Sequence, residues 1–233
     1  MIGIIGALDI ELNHLFEHMV ISHTELIADK TFYIGHIKDQ EVVVVKSDIG
    51  KVNATITATI LSLKYKVKLM INTGVAGGVH PANVGDIILA EGLAYFDAST
   101  SAIDDNPHGK LGEDPIIVET DPFYFNQAKN VFERLGYQYL IGNIVTGDKF
   151  VTKLRSIEKI SKRVNNILAC EMEGMAIAMT AFKFNIPFIS LRGISDVIED
   201  PTQTTSFLKV SKEVARKTSL FVFEFLEVFN ASN

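Results

Sequence analysis

Short apolar runs alternate along the chain with longer segments whose apolar residues recur every three or four positions. Strands joined through helices form mainly parallel sheets with both faces covered. We therefore predict an α/β fold, a three-layer α/β/α sandwich around a central mixed sheet. The predicted strands cover residues 2–6, 31–37, 41–46, 68–72, 86–90, 138–145, 167–170 and 188–193. The predicted helices cover about 12–19, 52–63, 121–135, 154–164, 173–181 and 206–228.

The chain shows no internal division. No linker, repeat or low-complexity segment interrupts it, so we predict a single domain of residues 1–233. The longest polar segment is residues 97–115, and loops of this length in compact domains are usually functional or mobile.

Composition excludes several classes of protein. Hydrophobic residues make up 47% of the chain, which is enough for a sizeable core, and the net charge of −6 argues against binding nucleic acid. We find no apolar run of membrane-spanning length and no secretory signal, so we expect no membrane partner and a cytoplasmic location. The lone cysteine, Cys170, forms no internal disulfide and is interpreted as a buried core residue.

Acidic residues follow several of the predicted strands, where ligands bind in sheets of this kind. A single carboxylate at such a position can be a helix cap, and Asp9 suits that role. Several acids converging on one crevice would instead suit a ligand rich in hydroxyls and acid–base chemistry at neutral pH. The acids at these positions are Asp9, Glu11, Asp48, Glu171, Glu173 and Asp196.

Two further motifs carry weaker signals. The stretch TGVAGG at 73–78 lacks the lysine of a phosphate-binding loop and is interpreted as a tight turn whose backbone approaches something closely. The stretch HLFEH at 14–18 matches the H-x-x-E-H zinc motif. His14 and His18 flank an apolar stripe, so we expect them to face solvent and predict no metal site.

Taken together, these segments resemble the 5′-methylthioadenosine/S-adenosylhomocysteine nucleosidases of the purine nucleoside phosphorylase superfamily. The resemblance runs nearly end to end. It rests on IGIIGALDIEL, SDIGKVNA, INTGVAGG, VGDIILAE, VTGDKFV, CEMEGMAIA, IPFISLRGISD and the pair Ser206-Phe207. It implies a nucleoside phosphorylase/hydrolase-like fold and no cofactor. It also implies a homodimer in which loop 97–115 crosses to the partner.

The implied reaction is hydrolysis of the N-glycosidic bond of 5′-methylthioadenosine and S-adenosylhomocysteine, releasing adenine and a 5-thioribose. Adenine leaves poorly unless it is protonated, and Asp196 matches the family's aspartic acid that protonates the purine. Glu11 matches the carboxylate that activates water, and Arg192 matches an arginine near that water. Glycoside hydrolases use a pair of carboxyl groups in the same way: one protonates the leaving group and the other activates the attacking water.

The resemblance also assigns substrate contacts. Glu173 would bind the ribose hydroxyls, Met172 would pack on the sugar, and Glu171 would support the turn that carries them. Around the base and the 5′-alkylthio group the implied contacts are stacking by Phe150, the backbone of Val151, and the apolar side chains of Leu8, Ile49 and Phe207.

The chain departs from the family pattern at three positions. Val75 stands where many relatives have serine, Phe96 where histidine is common, and Ile103 where an aromatic often reaches the partner's 5′-pocket. Three alternatives stay open: a phosphorolytic relative, an enzyme for another purine substrate such as futalosine or AMP, and a non-catalytic nucleoside-binding module. Hydrolysis is favoured because Asp9 and Glu11 would repel phosphate.

Overall fold

The computed structural model describes residues 1–231, so the last two residues of the predicted domain lie outside it. The strands are β1 (Ile2–Gly6), β2 (Met19–Ile27), β3 (Lys30–Ile37), β4 (Gln40–Lys46), β5 (Met70–Gly78), β6 (Ile87–Tyr95), β7 (Ile117–Glu119), β8 (Leu140–Thr146), β9 (Ile167–Glu171) and β10 (Phe188–Val197). The α-helices are α1 (Asp9–Glu17), α2 (Lys51–Ile60), α3 (Pro122–Leu135), α4 (Glu158–Ser161), α5 (Gly174–Lys183) and α6 (Gln203–Ala231).

The ten strands form one mixed sheet in the order β10-β6-β8-β9-β5-β1-β4-β3-β2, with β7 beside β6. Strand β5 also pairs directly with β10, in parallel, and with β9, antiparallel. The pairings of β5, β10, β6, β8 and β9 therefore close into a ring. The predicted mixed sheet is confirmed.

Helices cover both faces of the sheet, and this is why its central strands are apolar throughout. All five residues of β1 are buried. Ile5 packs into the cluster beneath α2 and α5, whereas Ile2 and Ile4 pack into the cluster beneath α1, α3 and α6. Successive side chains of a strand point to opposite faces, so the run fills both cores. Within residues 1–231, no helix combines the length and apolar composition needed to cross a bilayer.

The interpretation of TGVAGG as a tight turn is wrong, because β5 continues through it to Gly78. Glycine is needed at 74 for a different reason. A Cβ there would lie 2.3 Å from both Arg192 Nη1 and Glu11 Oε1. The glycine lets charged side chains approach the strand backbone.

Other differences lie where local signals are weak. Strand β2 was not predicted; it lies at the sheet edge, and most of its side chains are exposed. Strand β10 extends past Gly193 to Val197, with an irregularity between Ile194 and Asp196, so Asp196 lies within the strand. The predicted helix at 154–164 is wrong in extent, because only Leu154–Ser156 and Glu158–Ser161 are helical.

Candidate active site

A cavity with about 640 Å³ of empty space, including its open mouth, lies at the carboxyl ends of β1, β5 and β9. That size is typical of small-molecule sites. Eleven of the predicted site residues line it: Leu8, Glu11, Ile49, Val75, Phe150, Val151, Glu171, Met172, Glu173, Asp196 and Phe207. Arg192 is fully buried beneath the cavity floor and is not among the described lining residues.

Only part of the predicted convergence of acids occurs. Asp48 accepts a hydrogen bond from Lys30 Nζ at 2.6 Å, and Asp9 accepts one from Lys46 Nζ at 3.0 Å. Neither of these carboxylates lines the cavity. The cap role expected of Asp9 belongs to Glu11, whose Oε2 accepts from the backbone N–H of Leu8, the residue that precedes α1.

Glu11 is held by three backbone N–H groups. Its Oε2 accepts from Ala7 at 2.7 Å and from Leu8 at 2.9 Å, and its Oε1 accepts from Val75 at 2.8 Å. Burial raises the pKa of Glu11 above its ordinary value, although Arg192 and the backbone donors oppose the rise. A fixed carboxyl with a raised pKa suits proton abstraction near neutral pH.

The Glu-Met-Glu turn joins β9 to α5. Glu171 ends the strand, and its Oε2 accepts from the backbone N–H of Glu173 at 3.0 Å and of Gly174 at 2.7 Å. The Thr146 hydroxyl donates to the other carboxylate oxygen. Glu171 therefore caps helix α5 and fixes the turn.

Glu173 occupies the position just before α5 and is 5% exposed. Its Oε1 accepts from the backbone N–H of Gly50 at 2.8 Å. Burial, helped by the charge of Glu171, raises the pKa of Glu173 to about 8. In the unliganded protein this carboxyl therefore holds a proton at neutral pH.

Arg192, on β10, connects the buried acids. Its Nη2 donates to Glu171 Oε2 at 2.5 Å and to Asn72 Oδ1 at 2.7 Å. Its Nη1 lies 3.8 Å from Glu11 Oε1, and Nη2 lies 3.9 Å from Glu173 Oε2. One guanidinium thus holds three carboxyls within ion-pair distance under the floor.

Asp196 lies at a different part of the cavity and has different partners. Its Oδ1 accepts from the Ser195 hydroxyl at 2.7 Å, and its Oδ2 accepts from Gln203 Nε2 at 2.8 Å. At the mouth, the rings of Phe150 and Phe207 lie 5.7 Å apart, edge to face. Asp196 is thus held by neutral donors, and aromatic rings flank the entrance.

Sequence reasoning missed four residues that hold the predicted ones. Thr146, Ser195 and Gln203 donate to the acids, and Asn72 accepts from Arg192. Ser195 is adjacent to Asp196 within a quoted motif and could have been found there. Asn72 and Thr146 also lie within those motifs, but their partners belong to other strands, and Gln203 lies at the start of α6, outside them. Only the folded chain shows these three contacts.

Cys170 also lines the cavity, although it is buried. Burial raises the pKa of its thiol well above the ordinary range. The side chain is therefore a neutral thiol and not a nucleophile.

Among residues 1–231, one group of side chains could hold a metal ion: His14, Glu17 and His18, with ligand atoms within 4.8 Å of one another. None of the three lines the cavity. The His14 side chain is only 11% exposed, so the expectation that both histidines face solvent is wrong for His14.

The chain matches the phosphorylase superfamily over residues 1–227. It is 36% identical over 198 residues to a 5′-methylthioadenosine/S-adenosylhomocysteine nucleosidase of Staphylococcus aureus (strain bovine RF122 / ET3-1), covering 84% of this chain and 86% of that protein. The nucleosidase from S. pneumoniae solved with the transition-state inhibitor MT-ImmA superposes with a TM-score of 0.90 at 32% identity, covering 98% and 99% of the two chains. The native futalosine hydrolase of Helicobacter pylori strain 26695 superposes with a TM-score of 0.91 at 29% identity, covering 97% of each.

Proposed function

Because this chain belongs to the 5′-methylthioadenosine/S-adenosylhomocysteine nucleosidase family of the phosphorylase superfamily, we propose that it hydrolyses the N-glycosidic bond of both nucleosides. The products are adenine and the corresponding 5-thioribose. One observation carries the mechanism: two buried carboxyls share one cavity and flank the same strand. Glu11 lies beside Gly74 and Asp196 beside Gly77. Gly74 and Gly77 are three positions apart on β5, about 10 Å along the strand, so a sugar and a water fit between the parts of the cavity beside them.

In the proposed reaction, Asp196 gives a proton to a ring nitrogen of adenine. The C1′–N bond then breaks, and its electron pair leaves with the base. Glu11 takes a proton from water, and the water oxygen bonds to C1′ of the oxocarbenium-like sugar. One carboxyl loses a proton and the other gains one, so the enzyme returns to its starting state by exchange with solvent.

The remaining residues bind the substrate. Glu173 accepts hydrogen bonds from the ribose hydroxyls, and Met172 packs on the sugar. Glu171 and Arg192 act through other residues: Glu171 holds the turn, and Arg192 holds the three acids. Val75 lies close to the sugar and the water. The base and 5′-group contact Phe150, the Val151 backbone, Leu8, Ile49 and Phe207, and all six residues line the same cavity.

Phosphorolysis is disfavoured by charge. Four acidic side chains line the cavity, and among the described lining residues only Lys149 is basic. Arg192 is already engaged with carboxylates beneath the floor. A phosphate dianion entering this site would meet net repulsion.

Futalosine is the second candidate substrate. The observation in its favour is the match to a futalosine hydrolase over 97% of the chain. Its hydrolysis would use the same two carboxyls.

Product analysis tests the proposal. Purified protein would be incubated with methylthioadenosine, S-adenosylhomocysteine or futalosine, in buffers with and without phosphate, and products identified by mass spectrometry. We expect free base and free sugar in both buffers, and little product from Glu11→Gln. A ribose-1-phosphate derivative as the main product would overturn hydrolysis, and binding without turnover would indicate a nucleoside-binding module.

A homodimer is part of the proposal. Helices α2 and α5 pack side by side and expose Val52, Ile56 and Phe182. Val52 and Ile56 are four residues apart and so share one helix face. Sedimentation of the wild type and of Val52→Asp tests this surface, and a monomeric wild type would refute the dimer.

We also propose a cytoplasmic location. The support is the single, unpaired cysteine, Cys170, since disulfides are rare in the reducing cytosol. Cell fractionation with an antibody would test it.

A further inference from the structure

Gln203 connects two groups that the proposed function gives to the base. It is the first residue of α6 and is 6% exposed. Its Nε2 donates to the Val151 carbonyl oxygen at 2.9 Å and to Asp196 Oδ2 at 2.8 Å. A carboxamide nitrogen carries two hydrogens, so both are used.

The amide approaches these groups from outside the cavity. Val151 and Asp196 line the cavity, but Gln203 is not among the described lining residues. Ser195 donates to the remaining oxygen of Asp196. With a donor on each oxygen, the Asp196 carboxyl is fixed in one orientation, and a buried backbone carbonyl is satisfied by the same amide.

We propose that Gln203 is a positioning residue for protonation of the purine. It sets Asp196 at a fixed distance from the Val151 backbone, so that a base bound along that backbone meets the acid in reacting geometry. Errors of about 1 Å in such geometry can cost on the order of 100-fold in rate. This inference rests on the proposed function, because it assumes that Asp196 protonates a leaving base.

The same amide ties the start of α6 to the base site. Phe207 lies one helical turn after Gln203 and lines the cavity mouth. Loss of the amide can therefore disturb the 5′-alkylthio contact as well as Asp196. A test must separate these two effects.

Two substrates with the same 5-methylthioribose achieve this separation: methylthioadenosine, and the β-riboside of 4-nitrophenol, which leaves without a proton. Displacement of Phe207 would affect both equally, whereas misplacement of Asp196 would affect only the purine. For Gln203→Met we expect kcat/KM to fall about 10- to 100-fold on methylthioadenosine, within the range of general-acid catalysis. On the nitrophenyl riboside we expect less than about a threefold change, because no proton is required.

Gln203→Glu is the second variant, because it keeps the volume of the side chain while replacing the amide donor with a carboxyl beside Asp196. We expect it to lose at least as much activity on the purine substrate as Gln203→Met. Thr204→Ala, an exposed neighbour on the same helix turn, is the matched control and should equal the wild type. Thermal melts check folding.

The outcomes are distinguishable. If the wild type cleaves neither substrate, the proposed function is wrong, and the role of Gln203 that depends on it is wrong as well. If the wild type cleaves both, but the Gln203 variants keep full activity on methylthioadenosine or fall equally on both substrates, the inference alone is overturned.

Discussion

The cavity floor and the cavity rim are built in opposite ways. On the floor, Glu11, Glu171 and Arg192 are 2%, 6% and 0% exposed and are held by one another and by backbone donors. On the rim, Ile49 and Phe150 are 52% and 44% exposed. The floor is organised by folding itself, whereas the rim leaves large apolar side chains exposed in the single chain.

The floor affects the free energy of folding, whereas the rim affects the free energy of ligand binding. Burying several carboxyls around one guanidinium is expensive, and such clusters rarely stabilise a fold compared with apolar packing. The floor is therefore best explained by chemistry that needs preorganised charge. Rim residues contribute by losing apolar surface on binding, at about 25 cal/mol per Å².

The largest expected effects come from the two proposed catalytic carboxyls. Asp196→Asn should lose about 10²- to 10⁴-fold in kcat/KM on methylthioadenosine but much less on the nitrophenyl riboside, whose leaving group needs no proton. Glu11→Gln should lose activity on both, because each reaction still needs an activated water. The measurement is the ratio of kcat/KM values for the two substrates.

Equal losses by both variants on both substrates would contradict this division of labour. Asp196 would then be a binding or structural residue. Thermal melts of both variants check for general damage to the floor.

Arg192→Met should have the largest effect on stability. Removing one partner from a buried ion pair typically costs about 3–5 kcal/mol, because the remaining charges stay buried without compensation. Arg134→Met is the matched control: Arg134 is 47% exposed and pairs with Glu224, and such pairs contribute about 0–1 kcal/mol. Urea denaturation measures both. Similar losses of unfolding free energy in the two variants would contradict the prediction that the buried ion pairs matter more for stability than the exposed ones.

Glu173 should make ligand binding depend on pH. Its pKa is raised to about 8 by burial and by the charge of Glu171, so the unliganded site must lose a proton before this carboxylate can accept from two hydroxyls. Affinity for a methylthioadenosine analogue should rise with pH up to about 8, by at most about tenfold per pH unit. Titration calorimetry at several pH values measures this, and in Glu173→Gln the rise should disappear.

The same proton gives a stability prediction with a definite sign. The folded protein keeps a proton on Glu173 between the ordinary pKa of 4.5 and about 8, whereas the unfolded chain releases it. The contribution of this group to the unfolding free energy therefore decreases as pH rises through that window. Relative to wild type, Glu173→Gln should gain stability from pH 5 to pH 8. A constant difference would show that Glu173 ionises normally.

The sequence correctly predicted helices and strands whose limits depend on neighbouring residues, such as capping residues and runs of apolar side chains. Helix α3 begins at an Asp121 cap, which accepts from Phe123 and Tyr124, and is followed by Gly136 in the left-handed conformation, so its limits follow from nearby residues. The strands of the central sheet are buried on both faces and were found as apolar runs. Edge strand β2 lacks that pattern and was missed.

The site was predicted from motifs rather than from periodicity. A resemblance to a family can identify the acidic site residues that lie within its motifs. It does not identify the other side chains that position those acids. Gln203 reaches Asp196 across 7 positions of sequence, and Asn72 reaches Arg192 across 120. The residues around each of them do not indicate that contact. The role of Gly74 also depends on two side chains from other elements. Tertiary contacts of this kind have no local sequence signature.

Phe150→Ala tests the rim directly. A base stacked on an aromatic ring is stabilised by about 1–3 kcal/mol, so KM for methylthioadenosine should rise about tenfold. The melting temperature should barely change, because the ring is 44% exposed without ligand. Phe123→Ala, at an exposed ring on α3, is the control for both measurements. A large loss of stability in Phe150→Ala would show that this ring contributes to folding, as the floor residues do, and not only to ligand binding.

The smallest expected effect concerns Ile103, which is 87% exposed in the single chain and lies in loop 97–115. If this loop reaches the partner's 5′-pocket in the proposed dimer, Ile103→Phe adds apolar area there, and at about 25 cal/mol per Å² a few tens of Å² would improve binding severalfold. The gain should increase with the size of the 5′-alkylthio group and should be absent from Leu111→Phe, an exposed site in the same loop. An unchanged substrate profile would remove Ile103 from the site.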